Sequence, residues 1–125
     1  MNLEKVIAGF FIILALTMNF GFFYGDPTVL EQHNRYELFA AIIVNLIATI
    51  YKLGDKTQLG AVLLATSLVA DIQLIGAASI WALGEYVIGM NMEVVTAIIS
   101  FSGGALLANI TSVVLFTGDV LKSKR

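Results

Sequence analysis

The sequence predicts an all-α membrane protein, an antiparallel bundle of four transmembrane helices forming a single domain over residues 1–125. Three observations carry that expectation. Apolar residues make up 58% of the chain and charged residues only 13%, with mean hydropathy +0.89; a soluble domain usually carries about 25% charged residues. The apolar residues gather into four runs, at residues 6–24, 37–51, 59–83 and 94–116. The segments between the runs are brief, which favours neighbouring helices packed in sequence order.

A hydrocarbon slab of ~30 Å needs about 20 apolar residues per helix. The first run meets this. Lys5 precedes it as in a signal peptide, but the run is long, and "NFGFFYG" offers no small-x-small cleavage site, so the segment reads as a retained helix. The second run is short unless its charged ends reach back to the interface. Asn34 with Glu37 resembles a capping box at its start. Before it, Asp26-Pro27 suits the opening of a short surface helix reaching about Gln32. "DKTQ" (residues 55–58) supplies caps for the third run, and Asn91 for the fourth.

Lysine and arginine set the direction of insertion. Lys5, Lys52, Lys56, Lys122, Lys124 and Arg125 fall on one side by this reading, and Arg35 alone falls on the other. Both termini are therefore expected in the cytoplasm. Phe22, Phe23, Tyr24, Tyr36, Trp81 and Tyr86 would mark the outer interface, and Tyr51 and Phe116 the inner one.

The third run carries Asp71 at its midpoint. A central aspartate costs ~2.5–3.5 kcal/mol on insertion, and such carboxylates usually face a bundle interior or a water-filled cavity. The other runs each carry one asparagine, Asn19, Asn45 and Asn109, and Gln73 lies two residues beyond Asp71. No lysine or arginine is expected at this depth, so water, a proton, a cation or neutral hydrogen bonds must satisfy the acid. Ser67 and Asp71, four apart, share one helix face; Thr66, Ala70, Gln73 and Ala77 form an adjacent edge. One edge is expected to face the bundle and the other a neighbouring protomer. Asp71, Gln73, Asn45, Ser67 and Asn109 are the candidate ion-binding or pore-lining set. Ser100, Gly104, Ala108 and Ser112, each four apart on the fourth run, form a small-residue stripe suited to close helix packing.

Catalysis is not expected. The chain has no cysteine and one histidine, His33, which excludes thiolate chemistry and any multi-histidine metal site within one chain. Nothing resembles a nucleophile triad or a phosphate-cradling glycine loop. No catalytic residue, metal or cofactor is assigned, and a net charge of -2 gives no reason to expect a nucleic-acid partner. His33 reads as a solvated loop residue.

At "GAVLLATSLVADIQLI" and "GGALLANI" the chain resembles a family of small four-helix bacterial inner-membrane proteins of unassigned function. That resemblance implies the bacterial inner membrane and supplies no activity. Small multidrug exporters keep an essential carboxylate in their first span, and fluoride channels a basic glycine-rich motif near the start; this chain has neither. Three roles are left to weigh. The first is a homo-oligomeric cation channel or transporter component with Asp71 on the path. The second is an accessory subunit of a larger membrane complex, and the third a structural protein in which Asp71 bonds helix to helix. Partners are the lipid bilayer, further copies of the chain, and in the second reading a larger membrane protein.

Overall fold

The computed structural model describes residues 2–123, and every described element is helical. Helix α1 spans Leu3–Phe23, α2 Arg35–Lys52, α3 Gln58–Leu83 and α4 Met92–Ser123. Each start is fixed by a side chain that accepts a hydrogen bond from an otherwise orphaned backbone N–H. Asn2 accepts from Glu4 and Lys5, Asn34 from Tyr36, Thr57 from Gly60, and Asn91 from Val94. Glu37 does not complete a capping box. Its carboxylate lies against Gly21 of α1, where a Cβ would collide with it.

The expected surface helix after Pro27 is one 3-10 turn, Leu30–Gln32. Asp26 opens this loop by accepting from the backbone N–H and hydroxyl of Thr28, which hold its carboxyl below the ordinary value of 3.8. Helix α3 continues into a π-helical turn, Gly84–Ile88, which stops at Gly89 with φ +89°. Only glycine reaches that conformation cheaply.

Each helix packs on the next, and α1 also packs on α4. Lys5 of α1 meets Asp119 near the end of α4, Gly21 near the end of α1 meets Glu37 at the start of α2, and Thr66 of α3 meets Ser112 of α4. Helix α4 runs unbroken through Gly103 and Gly104. Gly103 admits the Phe23 ring of α1, and Gly104 admits the Gln73 side chain of α3. The paired glycines therefore bring three helices close and make no break.

The interior is zoned along its length. Phe22, Leu38, Leu74, Ala77, Val95 and Ile98 form an apolar core toward the end holding the α1–α2 connection. Toward the opposite end the buried residues turn polar, with Asn45, Thr49, Lys52, Ser67, Asp71, Asn109 and Ser112 inside. The outer faces are apolar: Phe10, Ile13 and Phe20 on α1, Phe39, Ile43 and Ile50 on α2, Leu68 and Ile72 on α3, and Leu107 and Val114 on α4 are exposed. Contiguous apolar patches of exposed side chains mark membrane or protein interaction surfaces. Three helices, Leu3–Phe23, Gln58–Ile88 and Met92–Lys122, are long and apolar enough to cross a membrane, which suggests a membrane protein. Helix α2, with Arg35, Glu37 and Lys52 in its 18 residues, is not among them.

Candidate functional site

The polar end of the interior is built from α2, α3 and α4. On α2, Ala41, Asn45, Thr49 and Lys52 fall three or four residues apart and so share the buried face. Asn45 spends its amide on its own helix, donating from Nδ2 to the Ala41 carbonyl at 2.7 Å. Thr49 reaches across to α3: its hydroxyl is 2.6 Å from Asp71 Oδ2 and 2.8 Å from the Asn45 carbonyl. Asp71 is only 4% exposed, and its Oδ1 is buried without a partner.

Lys52 overturns two expectations, that it lies in a cytoplasmic loop and that no basic group shares Asp71's depth. It is the last residue of α2, is 5% exposed, and points back into the bundle. Helical side chains lean toward the N-terminus of their helix, so a lysine at a C-terminal end on the buried face extends inward. Its Nζ donates to Ser67 Oγ at 2.5 Å and to Ser112 Oγ at 3.1 Å. Thr66 gives its one hydroxyl proton to the Leu63 carbonyl at 2.8 Å, so Ser112 must be the donor in the 2.6 Å contact between Ser112 and Thr66. The order is therefore Lys52 to Ser112 to Thr66 to backbone. Ser67 lies one turn from Asp71 on the same face of α3, so its bond to Lys52 draws the lysine to within about a turn of the acid. The two do not touch: the ion pairs among the described residues are Lys5–Asp119 at 3.1 Å and Arg35–Glu85 at 3.5 Å.

Lys52 also lines a cavity of about 630 Å³ at this end of the bundle. Asn2, Lys5, Ile12, Tyr51, Gly60, Leu63, Phe116 and Asp119 form its other walls. Two hydrogen-bonded sets thus lie near each other: Lys52 with Ser67, Ser112 and Thr66 beside the cavity, and Thr49 with Asp71 one turn along α3 from Ser67.

The remaining candidates separate. Asn109 is buried with its Nδ2 unpartnered, and Asn19 of α1 is wholly buried with neither amide atom partnered. Gln73 is half-buried against Gly104. Along the stripe on α4, Ser100 is exposed, Gly104 and Ala108 are half-buried, and Ser112 is buried in the polar cluster. On α3, Ser67, Ala70, Asp71 and Ala77 are buried and Thr66 half-buried, so residues of both edges turn into the same bundle. His33 is not solvated. It is 3% exposed, with Nδ1 2.6 Å from the Phe22 carbonyl and Nε2 2.8 Å from that of Asp26.

Sequence reasoning missed Lys52 and Thr49. The available signal was their spacing from Asn45, seven and four residues, which repeats the face carrying Ala41. Among the described residues no three His, Cys, Asp or Glu side chains gather to hold a metal ion.

The model of DUF6394, a family of unknown function, matches residues 32–120. The chain belongs to that family. The match includes all of the Thr49, Lys52, Thr66, Ser67, Asp71 and Ser112 cluster and leaves α1 outside. No curated protein and no solved structure matches the chain.

Proposed function

We propose that this is a four-span protein of the bacterial inner membrane, with antiparallel helices and both termini cytoplasmic, that handles a cation, and that the cation is the proton. Four spans are supported by α2 itself, whose outward face carries Phe39, Ile43, Leu46 and Ile50 although its ends are charged. With Lys52 drawn inside, Lys5, Lys56 and Lys122 still lie outside the bundle interior at the end assigned to the cytoplasm, against Arg35 at the other. Lys124 and Arg125 lie outside the described residues.

The observation that carries the functional reading is a buried acid with an unpartnered oxygen, one helical turn from the serine that holds a cavity-lining lysine, all within one chain. An ammonium near Asp71 disfavours a metal cation, which would add a second positive charge to a low-dielectric site. It suits proton exchange, because lysine, serine, threonine and aspartate all donate or accept protons in place. Thr49 supports this. It has one hydroxyl proton but faces two acceptors, the Asn45 carbonyl and Asp71 Oδ2. A proton on Asp71 lets the acid donate to Thr49 while Thr49 donates to Asn45, so loading and unloading Asp71 reverses one hydrogen bond without moving a helix. Asn19 and Ser102 are further polar residues wholly buried in the bundle, and both amide atoms of Asn19 are unpartnered.

Reconstitution into liposomes containing a pH-sensitive dye tests the reading. Wild-type protein should carry protons, and Asp71→Asn and Lys52→Met should abolish the flux. No flux above background for wild type, or unchanged flux in Asp71→Asn, removes it.

A second reading has its own support. Asp71 bonds Thr49 inside one bundle, which is also what a purely structural bridge between helices requires. That reading expects Asp71→Asn to behave as wild type in every assay.

A further inference from the structure

At the opposite end of the bundle from Lys52, a groove of about 310 Å³ lies between the start of α2 and the end of α3. Its floor is Leu38 and Ala78, and Phe39 and Trp81 form its sides. The two alanines, Ala78 and Ala82, keep the helices from filling the space between them. The mouth holds Arg35 and Glu85, with Nη1 to Oε1 at 3.5 Å and both side chains roughly half-exposed. The Arg35 guanidinium also lies over the Tyr36 ring, 5.6 Å from its centre. Beyond the pair is a second hollow of about 410 Å³, facing the α1–α2 connection. Arg35, Trp81 and Glu85 line both spaces, so the ion pair stands between a groove that opens onto the apolar sides of α2 and α3 and a hollow beneath a polar loop.

The geometry points to a phospholipid site selective for a zwitterionic headgroup with a primary ammonium, of the phosphatidylethanolamine type. The inference rests on the membrane reading above and not on proton movement. Charge complementarity decides the headgroup. A half-exposed ion pair contributes little to stability, so opening it costs little. Arg35 then takes the phosphate through its planar donor fork, the geometry guanidinium groups favour. Glu85, next to it, takes the ammonium N–H groups. An anionic headgroup without an amine would set its charge against Glu85, and a choline headgroup has no N–H to donate. The acyl chains have a track below: Phe39, Ile43 and Leu46 on α2 and Ile75, Ile72 and Leu68 on α3 are all exposed. From Ala82 to Leu68 that track runs about 21 Å at 1.5 Å per residue. Tyr36 and Tyr86, both highly exposed at the mouth, suit the depth at which headgroups lie.

Native mass spectrometry of protein purified in mild detergent tests this. The protein is incubated separately with mixed micelles of phosphatidylethanolamine, phosphatidylcholine and phosphatidylglycerol. One ethanolamine lipid should be retained about tenfold over each of the others, the worth of one charge-assisted hydrogen bond. Arg35→Gln and Glu85→Gln should each erase the preference while helix content, read by circular dichroism, and proton flux stay as in wild type. Equal retention of the three lipids by wild type, or an undiminished preference in either variant, overturns the site. Cell fractionation separates this from failure of the membrane reading: protein found in the soluble fraction removes both, whereas membrane-bound protein without lipid preference removes only the site.

Discussion

Asp71 accepts one hydrogen bond and leaves its second oxygen unpaired, so the chemistry of its replacement is informative. Asparagine can still accept from Thr49, whereas leucine removes the bond between α2 and α3 and leaves the Thr49 hydroxyl only the Asn45 carbonyl of its own helix. Asp71→Leu should therefore unfold more readily than Asp71→Asn, by about 1–3 kcal/mol, read as thermal melting in one detergent. Equal melting would mean that Asp71 holds no helix in place. Asp71 itself was legible in the sequence, because a lone acid in a long apolar run has no other explanation. Lys52 was not. At the edge of a run, lysine ordinarily marks the water side, and only its place on the Ala41–Asn45–Thr49 face distinguishes it from Lys56, four residues on and exposed. His33 was misread for a related reason: nothing local tells a loop histidine that two backbone carbonyls will close over it. Asp55 is a simpler residue, exposed and accepting from the N–H and hydroxyl of Thr57, which hold its carboxyl below 3.8. A carboxylate with a lowered folded value supports the fold above its unfolded value and loses that support as pH falls through the folded one. Protection of amides in the α2–α3 turn, read as hydrogen exchange relative to the intrinsic rate at each pH, should thus hold through neutral and mildly acidic pH and fall only below 3.8. In Asp55→Asn the acid-dependent step should vanish.

Between two elements the same logic is carried by glycine. Gly54 in the α2–α3 turn and Gly60 in the first turn of α3 look alike in the sequence. Around Gly54 nothing lies within 4 Å of an added Cβ, whereas at Gly60 a Cβ would meet the Asp55 side chain and, at 2.7 Å, the Asp55 backbone oxygen. Backbone cannot step aside as a side-chain end can. Gly60→Ala should destabilise the protein by about 1–3 kcal/mol, the cost of overpacking, while Gly54→Ala should be neutral or slightly stabilising through the unfolded chain. Matched melting curves check the contrast; equal losses would show that the turn is held otherwise. Helix starts were legible at Asn34, Thr57 and Asn91 because capping is local chemistry. Helix ends were less so. Helix α4 runs seven residues past its expected end at Phe116, and α3 gains a π-helical turn, since nothing at Thr117 or Leu83 stops a helix and the true stop after α3 is Gly89. The inward turn of both edges of α3 was also out of reach. Whether a polar edge meets its own bundle or another chain depends on how α2 and α4 flank it, which is tertiary information.

For the whole molecule, the burial of Asp71 inside a single bundle changes what assembly would have to accomplish. A ring of acids around an oligomer axis requires Asp71 at an interface between chains; here Thr49, Ser67 and Ser112 enclose that neighbourhood from within one chain. Copies that associate would therefore each keep their own polar route, and flux per chain should not depend on how many chains share a liposome. Sidedness is open to a direct check, because the sequence contains no cysteine and any introduced thiol stands alone. Lys56, between α2 and α3, and Gly118, with open space around it near the end of α4, should share the cytoplasmic side; Glu31, in the α1–α2 connection, should lie opposite. In intact cells with a permeable outer envelope, a membrane-impermeant maleimide should label Glu31→Cys and spare Lys56→Cys and Gly118→Cys, with labelling of all three after lysis. Labelling of Glu31→Cys and Gly118→Cys from the same face would put an even number of crossings between them. That result would fit a chain in which α2 lies along the membrane and does not cross it, the one helix whose charges leave it short of a spanning segment by length and composition alone. Labelling on opposite faces requires α2 to cross, since α3 and α4 contribute two crossings between them and a third must come from the helix carrying Lys52. The proposed proton route depends on that outcome, because the wall that Lys52 and Thr49 provide within a membrane exists only if α2 crosses it beside α3.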